Sequence, residues 1–312
     1  MTDLNVFYQV LLNEYDVIPT LIVKEKGGWV SLAYKVITEN SNYFLKVYEK
    51  KRASTEKLTQ YLNDYLSVVT WLGKNSLTGQ IVEPVLTKHL DYKYEDDDYI
   101  YVLFKYITGY VVADNALTVL QVKQLAQIVA NLHSYNEQIP FAINHLKEHF
   151  ELPFIKQLVY FLKQELTYLQ DILKQINDID ELAKNLQQQK LVFVLCHTDI
   201  HGWNIMQADH HLVLLDWEGL KLAPAEADLF MFYNKVFFKD FIDCYQQQHP
   251  HFQINQSVML FYLCRRSLED LWELIEQLVT DKVTGELRAY TLHLLATECG
   301  SIRANNKLLP EA

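Results

Sequence analysis

The sequence predicts an α+β protein of two lobes, a small strand-rich N-terminal lobe and a larger, mainly helical C-terminal lobe. The chain has 312 residues, of which 50% are hydrophobic, more than one domain usually needs and enough to bury two cores. Segments rich in β-branched and aromatic residues, punctuated by turn residues, fill much of the first third, whereas apolar residues recur at helical spacing through most of the rest.

Residues 1–15 place Leu4, Phe7, Tyr8, Leu11 and Leu12 at helical spacing and predict an amphipathic opening helix. "IPTLIVKEKGGWVSLAYKVIT" and "SNYFLKVYEK" then read as antiparallel strands, with turns at Gly27-Gly28 and Asn40-Ser41-Asn42. A helix is expected from Thr55 to Leu72, with Leu58, Leu62, Tyr65 and Val69 on one face, followed by strands at "IVEPVLT" and "YIYVLFKYI". The acidic run Glu95 to Asp98 before the second of these reads as a solvated hairpin turn. Past Gly109, Val122, Leu125, Ile128, Val129 and Leu132 form one helical stripe. Ile155, Leu158, Leu162, Leu166, Leu169 and Leu173 form another. Two short apolar runs, "KLVFVL" and "HLVLLDW", interrupt the helices, which resume from Asp240 onward. The lobes join near residues 105–109, giving an N-terminal lobe of 1–107 and a C-terminal lobe of 108–312.

A formal net charge of −11 repels a nucleic-acid backbone or an anionic membrane surface and attracts a cationic small molecule. Cys196, Cys244, Cys264 and Cys299 form no CxxC pair, which argues against a disulfide framework and a zinc ribbon and suits a reducing cytosol. Residues Asp3 to Asp16 carry too many polar side chains for a secretory signal, and no run approaches the roughly 20 apolar residues that span a bilayer. A cytoplasmic protein is expected.

Between the two apolar runs lies "CHTDIHGWNIM". His197, Asp199 and His201 suggest a metal site, but the stretch follows a strand, contains Gly202 and lacks a Glu after the first His. It holds no serine, and Cys196, at the end of an apolar strand, reads as a buried, inert thiol. A third reading explains more residues. The spacing Asp199-x-x-x-x-Asn204 equals that of a kinase catalytic loop, and Asp216, twelve positions on, ends the next strand, where kinases place a metal-binding Asp. Asp199 would orient an attacking hydroxyl and take its proton, while Asn204 and Asp216 offer the hard oxygen ligands that magnesium requires. Such a site needs a lysine on a strand of the other lobe. "NYFLKVY" offers Lys46, with Glu56 ten positions later as the carboxylate that positions it. The "KGGWVS" turn would fold over the phosphates, with Ser31 as a phosphate contact.

"CHTDIHGWNIM", followed by "LLDWEGLKLAPAEADLFMF" and preceded by "LAQIVANLHSY", resembles the aminoglycoside phosphotransferases, from about Trp29 to Leu278, and most of all their spectinomycin phosphotransferase branch. That resemblance implies the bilobal protein-kinase-like fold, with Asp199 as catalytic base, Asn204 and Asp216 as magnesium ligands and Lys46 on the phosphates of ATP or GTP. It also implies Glu56 as the partner of Lys46, the backbone of Tyr106 and Ile107 as the adenine contact, His197 as a brace of the catalytic loop and Asp228 as its cap. Glu218, Glu226, Glu269 and Asp270 are the carboxylates a cationic substrate would use.

The expected activity is magnesium-dependent transfer of a γ-phosphoryl group to a hydroxyl of an aminoglycoside or aminocyclitol antibiotic such as spectinomycin. A kinase of a small metabolite of the choline, homoserine or methylthioribose type is the alternative, because the same loops serve all of them. Two further readings stay open, an idle nucleotide-binding scaffold and a metallohydrolase built on His197, Asp199 and His201. His201 itself reads either as an exposed loop residue or as a neighbour of the phosphates.

Overall fold

The computed structural model describes residues 4–25, 31–134, 139–140, 142–165, 169–305 and 307; the expected turn at Gly27-Gly28, with Trp29, and the stripe position Leu166 lie outside them. In chain order, the first part carries α1 (Leu4–Tyr15), β1 (Leu21–Lys24), β2 (Leu32–Ile37), β3 (Asn42–Glu49), α2 (Ala53–Thr59), α3 (Leu62–Asn75), β4 (Pro84–Val85), β5 (Tyr94–Glu95), β6 (Tyr99–Lys105) and β7 (Tyr110–Val111). There follow α4 (Val119–Ser134), α5 (Ile155–Glu165), α6 (Leu169–Gln187), β8 (Val194–Cys196), β9 (Ile205–Ala208), β10 (His211–Leu214) and β11 (Lys221–Ala223). The last helices are α7 (Glu226–Leu229), α8 (Phe238–Tyr245), α9 (Gln256–Val279) and α10 (Gly285–Asn305).

The chain forms two compact units, one of residues 1–143, 197–220 and 239–248, the other of 144–196, 221–238 and 249–312. The first unit runs beyond residue 107 because β7 pairs with β9, Tyr110 facing Gln207 and Val111 facing Met206, which ties the β9–β10 hairpin to it.

The main sheet of the first unit runs β1-β2-β3-β6-β4, with β5 beside β6, and the pairings are antiparallel. Side chains alternate across a strand, so Leu45 and Val47 of β3 share one face and Lys46 and Tyr48 the other. The first face packs against Phe7, Val10 and Leu11 of α1, together with Tyr34, Val36, Tyr101 and Leu103. Phe7 meets Tyr34 edge-on at 5.1 Å between ring centres. Each fully buried Leu or Phe of this kind contributes on the order of 2 kcal/mol. The second face keeps Lys46 and Tyr48 buried too.

Two helices expected to be continuous are broken. Residues 55–72 divide into α2 and α3 at Gln60 and Tyr61, where Tyr61 leaves helical geometry at φ −112°, ψ 22°. On α3, Leu62, Tyr65, Leu66, Val69 and Leu72 are buried, so the expected stripe survives there. The stripe of 155–176 divides into α5, which buries Leu158 and Leu162, and α6, whose buried side is Ile172, Ile176, Ile179, Ala183 and Leu186. The apolar runs expected to flank the catalytic loop form β8 and β10, but β8 pairs with β11 and β10 with β9, strands too short and mixed to stand out in the sequence. In the acidic turn, Asp96 Oδ1 accepts from the amides of Asp98 and Tyr99 at 2.9 and 2.8 Å, and its other oxygen accepts from Tyr101.

In the second unit α9 packs against α6 and α10. Asn255 caps α9 by accepting from the amides of Ser257 and Val258, and Glu148, buried, accepts from Arg265 at 2.7 Å and Lys221 at 3.3 Å. Glu298 on α10 is partly buried; burial, and next Asp270, push its carboxyl up to about 7 against the pull of Arg266. The folded chain therefore holds a proton there that the unfolded chain, with an ordinary value of 4.5, has lost, so this contribution falls as pH rises from about 4.5 to 7. Glu298→Gln should raise the melting temperature near pH 8 and leave it unchanged below about pH 5; equal melting shifts at both values would remove Glu298 as the cause.

No helix among the described residues is long and apolar enough to cross a membrane, and the four cysteines form no disulfide with one another.

Candidate active site

The strand β8 delivers the chain into the loop of residues 197–204, and the first residue of the loop is its brace. His197 is fully buried, with Nε2 2.7 Å from the Leu215 carbonyl and Nδ1 3.3 Å from the Asp199 amide. The amide can only donate, so Nδ1 accepts, Nε2 carries the proton and donates to Leu215. The ring also packs 4.5 Å from the indole of Trp217. Both nitrogens are thus spent, and His197 has none left for a metal, which removes the metallohydrolase built on it.

Two glycines make the loop possible. A Cβ on Gly202 would lie 1.9 Å from the Ala113 carbonyl oxygen, and one on Gly219 would lie 2.3 Å from Thr198 Oγ1. Thr198 stands at φ +70° and donates from Oγ1 to the Gly219 carbonyl at 2.8 Å, which binds the loop to the segment after Asp216. A left-handed backbone at a β-branched residue is costly, and such strain gathers at functional sites.

The five-residue spacing brings Asn204 back onto Asp199. Its Nδ2 donates to the Asp199 carbonyl at 3.0 Å and to Asp199 Oδ2 at 2.9 Å. His201 joins them: its Nδ1 accepts from the Trp203 amide at 3.2 Å, and its Nε2 lies 3.5 Å from Asp199 Oδ2. The Asn204 carbonyl accepts from the Leu215 amide at 2.9 Å, which fixes the strand end carrying Asp216 beside the loop. Asp216, at φ +56°, has its side chain 50% exposed and takes Lys46 Nζ on Oδ1 at 2.9 Å.

Lys46 has a second partner, Glu218, whose same oxygen accepts from Tyr48 at 2.5 Å. Burial opposes the charge of Lys46, but the carboxylates of Asp216 and Glu218 outweigh it and hold the ammonium well above its ordinary range. Burial first, then Glu218, push the Tyr48 phenol up, and burial followed by Tyr48 does the same for Tyr65 of α3. Both tyrosines stay protonated, and the two buried phenols interact with each other.

The structure therefore gathers Lys46, Asp199, Asn204, Asp216 and Glu218. It does not bring Glu56 to Lys46. The short helix α2 turns Thr55 and Thr59 inward, Thr55 donating to the Glu49 carbonyl at 2.7 Å, and Glu56, one position round, is exposed. Ser31 is buried at the head of β2, and its hydroxyl has no partner among the described residues. The Tyr106 amide is already given to the Asn42 carbonyl at 3.1 Å. Three of the four carboxylates expected for a cationic substrate lie in the second unit, each engaged. Glu226 is buried and accepts from the Asn255 amide at 2.8 Å, Glu269 pairs with Arg265 at 3.0 Å and Asp270 with Arg266 at 2.8 Å. Asp228 is fully buried on the same short helix as Glu226.

Tyr48 and Tyr65 were not legible as site residues. Tyr48 had a signal, since it shares the strand face of Lys46 at period two, whereas Tyr65 fell on an apolar stripe and read as core.

A family model described as "Phosphotransferase enzyme family" (APH) matches residues 24–251. Among solved structures, the chain is similar to spectinomycin phosphotransferase APH(9)-Ia in complex with ADP and spectinomycin, with a TM-score of 0.72, 18% identity and coverage of 97% of this chain and 98% of that one. It is similar to an amicoumacin kinase at a TM-score of 0.70 and 14% identity, covering 100% of this chain and 96% of that one. It also resembles the choline kinase of Streptococcus pneumoniae, with a TM-score of 0.66, 15% identity and coverage of 95% and 98%. Among curated protein sequences nothing matches. These likenesses bear out the α+β kinase-like fold.

Proposed function

Because the chain belongs to the phosphotransferase enzyme family and is a phosphotransferase acting on hydroxyl groups, we propose that it is a magnesium-dependent kinase moving the γ-phosphoryl group of ATP or GTP onto a small molecule. One observation carries the reading. Lys46 meets Asp216 across 170 positions of sequence, in the unit that also pairs Asn204 with Asp199.

In this reading the acceptor oxygen attacks phosphorus, its proton passes to the Asp199 carboxylate and the bond to the nucleoside diphosphate breaks. Asn204 holds one oxygen of Asp199 and so fixes the direction in which the base faces. Lys46 neutralises phosphate charge, and Ser31 offers its buried hydroxyl to a phosphate. The Asp216 carboxylate and the side-chain amide oxygen of Asn204, whose Nδ2 is committed to Asp199, are hard donors that fit magnesium. When bound, that ion supplies charge neutralisation at the phosphates. The Tyr106 carbonyl and Ile107 amide are the proposed adenine contacts, residues 1–107 the nucleotide-binding lobe and 108–312 the catalytic and substrate-binding lobe, with Asp228 capping the loop. His197 acts through the loop as its brace. A cytoplasmic location suits four cysteines that form no disulfide with one another.

For the acceptor we propose a cationic aminocyclitol or aminoglycoside such as spectinomycin, supported by the net charge of −11 and by the fold shared with a spectinomycin phosphotransferase. A specific observation favours a second reading, a kinase of a small metabolite. Glu218, Glu226, Glu269 and Asp270 already hold Lys46, Asn255, Arg265 and Arg266, so a polycationic drug has to displace a partner at each. The test is phosphate transfer to a panel of aminocyclitols, aminoglycosides and amino-alcohol metabolites, read by mass spectrometry against Asp199→Asn. A phosphorylated drug made only by the active protein supports the first acceptor class; transfer to metabolites alone replaces it with the second; transfer to none defeats both.

A further inference from the structure

The lysine that meets the phosphates needs something to hold it, and the helix carboxylate expected for that task, Glu56, is exposed and away from it. We propose that Glu218 is the positioning residue of Lys46, held in turn by Tyr48 and Tyr65, while Asp216 is a partner that Lys46 can give up. The inference rests on the kinase reading of Lys46.

The two carboxylates differ in how they are kept. Glu218 has a side chain only 12% exposed and takes two donors, Lys46 and Tyr48, on one oxygen. Tyr48 is held in place, being buried beside Lys46 on the same face of β3 and next to the buried phenol of Tyr65. Asp216 is half exposed and accepts from Lys46 on Oδ1. The exposed carboxylate is the one free to turn toward a cation, and the enclosed one stays on the lysine. Tyr65 stands on α3, so that helix meets the lysine through a phenol and a strand tyrosine where a direct carboxylate was expected.

Without Glu218, Lys46 is left with Asp216 alone and regains rotamer freedom that nucleotide binding must remove again. Ordering a lysine side chain costs rotamer entropy, so Glu218→Gln should weaken ADP binding about tenfold.

The experiment is calorimetric titration of the full chain with ADP, in EDTA and in magnesium, for wild type, Glu56→Gln, Glu218→Gln and Tyr48→Phe, together with KM for the acceptor found above. Expected are about a tenfold weaker ADP affinity in EDTA for Glu218→Gln, a smaller loss for Tyr48→Phe, a change under about twofold for Glu56→Gln, and an unchanged acceptor KM. Tyr48→Phe keeps the test alive if Glu218→Gln does not fold, since it removes only the hydroxyl that holds Glu218. An unaltered ADP affinity in EDTA for both site variants overturns the proposal. So does a loss seen only with magnesium, which would make Glu218 a metal ligand, a loss confined to acceptor KM, or a larger loss for Glu56→Gln. A wild-type chain that binds no ADP defeats the kinase reading itself, whereas normal wild-type binding with unaffected variants defeats this assignment alone.

Discussion

Asp199→Asn should lower kcat by about a hundredfold or more and leave nucleotide affinity close to that of wild type. The amide side chain keeps the shape of the carboxylate and presents an oxygen to Asn204 Nδ2, now 2.9 Å from Asp199 Oδ2, so the loop retains its hydrogen bonds. It loses the ability to take a proton from the acceptor hydroxyl. Rapid-quench single turnovers with saturating nucleotide isolate the chemical step from product release. A variant that transfers phosphate at nearly the wild-type rate would show that Asp199 is not the base.

The second large effect belongs to Asp216. Its backbone lies at φ +56°, a region asparagine tolerates better than alanine, so Asp216→Asn is the substitution least apt to disturb the fold. It removes a full negative charge from one of two proposed oxygen ligands to the metal, and magnesium should then no longer tighten nucleotide binding by much more than about twofold. Because Glu218 still holds Lys46, affinity for metal-free ADP should hardly change. Titrations with and without magnesium check both halves, and an undiminished magnesium effect in the variant would place the ion elsewhere.

The fold was readable because its signals are local. Leu45 and Val47 alternate with Lys46 and Tyr48 as a half-buried strand requires, and the stripe from Val122 to Leu132 predicts α4 directly. The candidate loop stood out for the same reason, since His197, Asp199 and Asn204 act on one another within eight residues. What stayed hidden depends on long-range placement. Whether Glu56 or Glu218 reaches Lys46 turns on which side of α2 faces inward and on the left-handed backbone at Asp216, and neither has a local sequence mark. Likewise Glu226 and Glu269 are plain carboxylates in sequence, and only the folded chain shows that a backbone amide and an arginine already occupy them.

The pairing of one lysine with two acids has a practical side for anyone who wants an inactive control. Removing the lysine proposed for the phosphates is the obvious way to make one, but Lys46→Met would leave Glu218 enclosed with no cation and Asp216 beside it. Stripping one partner from a buried ion pair costs about 3 kcal/mol or more, enough to lower the yield of folded protein. A preparation of that variant would lose activity through scarcity as readily as through lost chemistry. The Asp199→Asn protein, whose loop bonds survive, is the cleaner blank, and Lys46→Met paired with Glu218→Gln is the charge-balanced substitute when the lysine itself must go.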